Sequence, residues 1–328
     1  MKDRLDRRRF LQISGQAIGI GVLYTVAGPV EALAGERNEF FQFLAGKNGE
    51  APSAFSFVQL SDPHVGFEGP PNPLGTKAFE TAVQKVRSLG AKPDLALFTG
   101  DLIHDTEDRD QHVQRIHRFK EIAGGLGIHK VYHVPGEHDA GTDHGGIYRD
   151  HFGETHYTFD HRGVHFVALD NVTGDKPEAG AAQVAWLKKD LTRFQKSTPI
   201  VLFTHRPLFD LRPDWEWFTS DGDAVMEALA PFSNVTVLYG HIHRDHEHEE
   251  GNIHHYGARS LAWAFPDPET AVDKKPVPFD KEHPFQNVGL RQIQETDPVR
   301  RPPSVTEVGL QLQDDGINGM QQMLKPIK

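Results

Sequence analysis

From Phe55 onward, the apolar residues fall into short segments that switch between two spacings. Phe55–Leu60, Leu95–Thr99, Val131–Val134, Ile200–Phe203 and Val235–Tyr239 are short, nearly continuous apolar runs, as buried strands are. Between them the spacing changes to three and four. Ala78, Phe79, Ala82, Val83 and Val86 form one apolar face of a helix over 76–89. Val184, Leu187, Leu191 and Phe194 do the same over 181–194, and 110–122 and 221–229 read as two further helices. Residues 157–159 and 165–169, joined through His161-Arg-Gly163, read as a hairpin, and 254–256 as one more strand. Strands alternating with helices, plus one hairpin, predict a layered α/β domain. That domain is expected over 54–285, after a polar lead-in over 35–53. Beyond Pro266 the chain becomes rich in proline and charge (Lys274-Lys-Pro-Val-Pro278, Arg300-Arg-Pro-Pro303). An irregular tail is expected there, with one strand over 305–312, and 286–328 is expected to be a C-terminal extension.

The polar residues are placed less evenly. Five of the strands are followed at once by a short motif: Asp62-Pro-His64, Gly100-Asp101, Gly136-Glu-His-Asp139, His205, and Gly240-His-Ile-His243. Carboxyl ends of strands are where sites form in open α/β sheets. Carboxylates and imidazoles are also the ligands that hard and borderline divalent metals prefer. Asp62 and His64, two residues apart, can point at one ion. Asp101 can bridge two ions through its two oxygens, and His241 and His243 can give one imidazole to each. His205 completes the second ion.

Composition narrows the field. The 328 residues contain twenty histidines and no cysteine, so disulfides, thiolate metal sites and cysteine nucleophiles are excluded. A net charge of −11 argues against non-specific nucleic-acid binding, which draws its affinity from Lys and Arg on phosphates. A mean hydropathy of −0.50 excludes a polytopic membrane protein. At the N-terminus, Arg7-Arg-Arg-Phe-Leu11, a weakly apolar stretch over 13–30 and Ala32-Leu-Ala34 read as a signal peptide over 1–34. The arginine pair followed by Phe10-Leu11 resembles a twin-arginine export signal. The expected partner is the twin-arginine export machinery, with cleavage after Ala34. The expected location is periplasmic or secreted, with no stable membrane span in the mature form. An uncleaved N-terminal anchor is the other reading of this segment.

The ordered motif set resembles the calcineurin-like metallophosphoesterases, whose pattern is D-x-H, G-D, G-N-H-D/E, H and G-H-x-H, over roughly residues 55–265. Phe152-Gly153, Ala168-Leu-Asp170 and Gln183 through Leu187 are lesser points of likeness. The resemblance implies a four-layer α-β-β-α sandwich around two mixed central sheets. It implies two metal ions, the first on Asp62, His64, Asp101 and His243, the second on Asp101, Glu137, His205 and His241. It also implies a small phosphate-ester substrate attacked in line by a hydroxide held between the ions. His138 would assist the leaving group, and Asp139 would orient His138 or raise its pKa. Phosphodiesters are placed ahead of monoesters, because the motifs look like the bacterial phosphodiesterase-type branch. The alternative is a non-catalytic metal-binding or sensing protein on the same scaffold. Redox chemistry at a mixed-metal site is a remote third reading.

One position departs from the pattern. Glu137 stands where Asn is usual. It either replaces one oxygen ligand by another, or adds negative charge that favours iron or manganese over zinc, or crowds the site and impairs it. Other residues carry two readings each. His104 is either a ligand or a neighbour of one. His246, His248, His254 and His255 form either an auxiliary metal-collecting loop or a solvated hairpin. Trp215, Trp217 and Phe218 either wall the substrate pocket or pack on their own domain. Arg206 faces either a phosphate oxygen or Asp210.

Overall fold

Strict alternation of side chains along the strands decides how the layers stack. In a computed structural model that describes residues 53–296 and 302–310, the strands are β1 (Phe55–Leu60), β2 (Leu95–Thr99), β3 (Val131–Val134), β4 (Tyr157–His161), β5 (Val164–Ala168), β6 (Ile200–Phe203), β7 (Val235–Tyr239), β8 (His246–Glu250), β9 (Ile253–Gly257), β10 (Gly289–Glu295) and β11 (Ser304–Gly309). They form two mixed sheets, ordered β11-β10-β1-β2-β3 and β4-β5-β6-β7-β9-β8. Phe55 and Phe57 of β1, Leu95 and Leu97 of β2, Phe166 of β5 and Val201 and Phe203 of β6 share one core cluster, which joins residues of both sheets. Their neighbours one residue along face the other way, because successive side chains of a strand point to opposite faces. Val58, Leu60, Ala96 and Phe98 meet helices α1 (Gly75–Arg87) and α2 (Arg109–Gly124). Ile200, Leu202, Val235 and Val237 meet α5 (Ala181–Leu191) and α6 (Gly222–Leu229). The result is the four-layer sandwich. Two short helices, α3 (Glu137–Ala140) and α4 (Gly146–Phe152), follow β3.

The segment expected to be an irregular tail is corrected in part. Its β10 pairs antiparallel with β1 over five residues and with β11 over six, so it extends the first sheet. Arg291 in the middle of β10 is 1 % exposed and paired to Glu307, directly opposite on β11. The polar run 246–250, which carries no apolar signal, is a strand as well, because β9 supplies its partners. The segment expected to be a twin-arginine signal, the expected lead-in up to residue 52 and the chain beyond 310 lie outside the described residues. No helix among the described residues is long and apolar enough to cross a membrane.

Far from the motifs, His165 of β5 is buried between two carboxylates: Nδ1 lies 2.7 Å from Asp160 and Nε2 2.9 Å from Asp190. Burial opposes its charge, but the hydrogen bonds to Asp160 and Asp190 outweigh that and raise its pKa. A raised folded-state pKa contributes stability that is fully present below the unfolded value and is lost as pH rises through the folded value. His165→Gln is therefore expected to destabilise the protein more at about pH 6 than at about pH 9. Urea denaturation at the two pH values measures this, and an equal loss at both would show that His165 is neutral.

Candidate metal centre

The loops after β1 and β2 remain zipped together beyond the strands. Asp62 N donates to Gly100 O at 3.1 Å, and His64 N to Asp101 O at 3.0 Å. The loop after β7 is held by Asp62, whose carboxylate accepts the His241 N–H at 3.1 Å. These close approaches leave no room for side chains. A Cβ on Gly136 would lie 2.1 Å from Asp101 Oδ1, and one on Gly240 would lie 2.1 Å from Ser61 Oγ. The backbone is also strained here. Asp62, His64, Asp101, His241 and His243 all have φ between 41° and 65°, where residues other than glycine are costly. Strain concentrated on five residues of one small region marks a functional site.

The seven residues expected to bind metal gather into two groups. Asp62, His64, Asp101 and His243 are all buried and can place one ligand atom each within 4.8 Å of the others, and so can the half-buried Glu137 with the buried His205 and His241. Asp101 links the groups. Its Oδ2 lies 3.5 Å from His64 Nε2 and 3.5 Å from His205 Nε2, while Oδ1 accepts the backbone N–H of His138 at 3.0 Å. Three imidazoles are oriented by main-chain carbonyls: His205 Nδ1 on Thr99 O at 2.7 Å, His243 Nδ1 on Trp263 O at 2.9 Å, and His241 Nε2 on Glu216 O at 3.2 Å. A carbonyl can only accept, so these nitrogens carry the hydrogens. The opposite nitrogens then present lone pairs to the centre, the usual arrangement of metal-binding histidines.

The electrostatics call for cations. Three carboxylates converge in largely buried surroundings, and uncompensated charge there is expensive. Burial alone would raise the pKa of Glu137, yet His241 and His205 hold it well below the usual carboxylate range. Burial would likewise lower His205, but Asp101 and Glu137 pull it well above the ordinary imidazole value. His205 Nε2 and Glu137 Oε2 lie 2.8 Å apart but are not aligned as a hydrogen bond, and both are buried without a hydrogen-bond partner. Two buried polar atoms this close, neither satisfied by a hydrogen bond, fit a bound ion. The donor set suits two divalent cations of the hard or borderline kind.

Around the centre, several expectations change. His138 is held by Asp105, not by Asp139: His138 Nδ1 lies 2.5 Å from Asp105 Oδ1. The Asp139 carboxylate instead accepts the backbone N–H groups of Gly136, Leu102 and Ile103 at 2.8–3.0 Å, tying the loop after β3 to the loop after β2. Burial opposes charge on His138, but Asp101, Asp105 and Glu137 raise its pKa to about 9. His138 is 28 % exposed at its side chain, and its ring packs edge-on against the candidate ligand His64 at 4.7 Å. His104 Nδ1 sits 3.4 Å from His64 Nδ1 and its ring stacks on His138, behind the first group. Trp215 and Trp217 are buried against Tyr239 and Ile242, so they pack on their own domain. The histidines of 246–255 lie on the β8–β9 hairpin, with His254 beside Glu249, and none joins a metal-ligand group among the described residues.

Two further contacts, like that of Asp105, escaped the sequence analysis. Arg206 reaches Glu137, with Nη2 3.2 Å from Oε1, rather than Asp210. Asn171, fully buried at the end of β5, accepts the Arg206 N–H at 3.2 Å and donates to its carbonyl at 3.0 Å. The only signal in the sequence was a lone Asn beside Asp170.

The comparisons with known proteins agree with this geometry. Residues 55–245 match the family model described as calcineurin-like phosphoesterase. A 3',5'-cyclic-nucleotide phosphodiesterase of Nostoc is 23 % identical over 196 residues, covering 58 % of this chain and 71 % of the relative. A probable glycerophosphodiester phosphodiesterase of Arcobacter nitrofigilis is 25 % identical over 201 residues, covering 57 % and 71 %. In fold, the chain is similar to a dimetal phosphatase from Danio rerio, with a TM-score of 0.52 at 14 % identity, over 77 % of this chain and 98 % of that one.

Proposed function

The chain belongs to the calcineurin-like phosphoesterase family of metal-dependent phosphoric ester hydrolases, and from that premise we propose that it is an exported, binuclear phosphodiesterase. The observation that carries the binuclear reading is Asp101, whose Oδ2 is equally distant, at 3.5 Å, from an imidazole of each ligand group. When bound, two such cations activate a water and stabilise the attacking and leaving oxygens of an in-line displacement. The protein supplies the rest. Its three carboxylates and four imidazoles fix the two positions, and the backbone carbonyls behind His205, His241 and His243 keep the rings from turning. In this reading His138 donates its Nε2 hydrogen to the departing alkoxide, a role supported by its contact with Asp105, which fixes the ring through Nδ1.

The preference for diesters is supported by the two curated relatives, both named phosphodiesterases. An iron- or manganese-containing pair is supported by the oxygen-rich set Asp62, Asp101 and Glu137, since hard ions favour carboxylates. Export is supported by the arginine pair and the Ala32-Leu-Ala34 site.

The test uses protein purified without added metal, analysed for bound metals and then assayed with bis-aryl and mono-aryl phosphates after addition of Mn, Fe or Zn. Faster diester turnover with Mn or Fe is expected. No turnover of either ester by protein holding two ions would refute the enzyme reading and leave the non-catalytic, metal-sensing one.

A further inference from the structure

Glu137 and Arg206 are 69 residues apart in sequence and in contact at the second ligand group. We propose that Arg206 is a positioning residue for the second metal, offsetting the extra carboxylate of Glu137 so that the pair acts in place of the neutral oxygen ligand usual at this position. The proposal rests on the reading that the site binds metal, and not on the identity of the ester.

Arg206 is 9 % exposed, and a guanidinium so placed needs a partner. Its geometry is specific. Nη2 lies 3.2 Å from Glu137 Oε1, and Nη1 donates to Glu216 O at 2.7 Å. Glu137 Oε1 is in turn 2.6 Å from His241 Nδ1, and His241 Nε2 lies 3.2 Å from the same Glu216 O. Arg206, Glu137, His241 and one carbonyl therefore form a closed ring around the outer side of the second group. Glu216 adopts a left-handed backbone, φ 60°, to present that carbonyl. The preceding carbonyl, Trp215 O, accepts from Lys274 Nζ at 2.9 Å, so the strap over 213–217 is pinned from both sides. At its root, Arg206 is clamped through both backbone polar groups by Asn171, which also donates to Thr219 Oγ1 at 2.8 Å. Together they hold one positive charge against one carboxylate oxygen.

The physical consequence is non-additivity. Without the carboxylate, the guanidinium is buried without its counter-charge beside a position that must accept a cation. Without the guanidinium, Glu137 carries its full charge and is free to turn away from His241. Removing both returns the local charge to its starting balance.

The experiment is a double-mutant cycle of Glu137→Gln, Arg206→Gln and the double variant in full-length protein. Mn binding is followed by calorimetry, metal stoichiometry by elemental analysis, and thermal unfolding in parallel. Glu137→Gln is expected to weaken the second Mn by about tenfold or more, the size of effect seen when support of a ligand is lost. The double variant is expected to recover most of that loss. Equal weakness in the single and double variants, or losses that simply add, would overturn the proposal. So would a wild-type protein that binds only one Mn. A purely structural Arg206 would lower the unfolding temperature by the same amount with or without Glu137 and leave Mn affinity unchanged. Two tightly bound ions without ester turnover would refute the enzymatic reading while leaving this cycle fully interpretable.

Discussion

Asp101→Ala is expected to take the purified protein from two metal ions per chain toward none, and to abolish ester hydrolysis. Every other ligand belongs to one group, whereas Asp101 Oδ2 faces both His64 and His205. Loss of a residue that only supports a ligand typically costs 10–100-fold in metal affinity, and loss of a shared ligand should cost more than about 100-fold at each position. The substitution also removes the acceptor of the His138 N–H, so the loop after β3 loses one of its ties to β2. Asp101→Asn separates these effects. The amide keeps the size and can still accept that hydrogen bond, but it removes the charge that binds the cations. Elemental analysis and thermal unfolding of both variants, with and without added Mn, are the measurements. Both ions retained at wild-type affinity in Asp101→Ala would refute its bridging position.

His138→Gln is expected to retain both metals and to lower kcat by about 10²–10⁴-fold, the usual contribution of a positioned general acid. The loss should be large for esters with poorly departing alkoxides and small for activated aryl esters, whose leaving groups need no proton. Asp105→Asn should show a weaker version of the same pattern, because Asp105 acts through His138. Asp139→Asn should behave differently. It leaves the His138 contact intact and disturbs the backbone ties to Gly136, Leu102 and Ile103, so its effect should appear first in thermal stability. A flat dependence on leaving group in His138→Gln would remove His138 from proton transfer.

Most of the candidate ligand set was legible because each of its residues lies two to four positions past the end of a strand. Strand ends are announced by the apolar run before them, and the geometry that brings five such ends together follows from the parallel pairings within each sheet. Legibility failed where a polar side chain was satisfied from afar. Asp105 meets His138 across 33 positions and Arg206 meets Glu137 across 69, and no local spacing records either contact. Asp139 misled for the converse reason: adjacency in sequence suggested a contact with His138, but on α3 the carboxylate turns back toward the helix N-terminus and its exposed N–H groups. β10 escaped notice because its buried apolar residues, Leu290 and Ile293, are interrupted by Arg291, whose partner Glu307 lies across on β11. The short helices α3 and α4 hold too few turns for a 3.6-residue period to be read.

The residues alone thus determined the layered fold, the family resemblance and the seven candidate ligands, because hydrophobic periodicity and strand-end motifs are local properties of the chain. Only the tertiary structure decided which carboxylate serves His138 and what balances Glu137. Those are questions of charge and hydrogen bonding between distant segments, and they are answered only once the chain has folded the segments into contact.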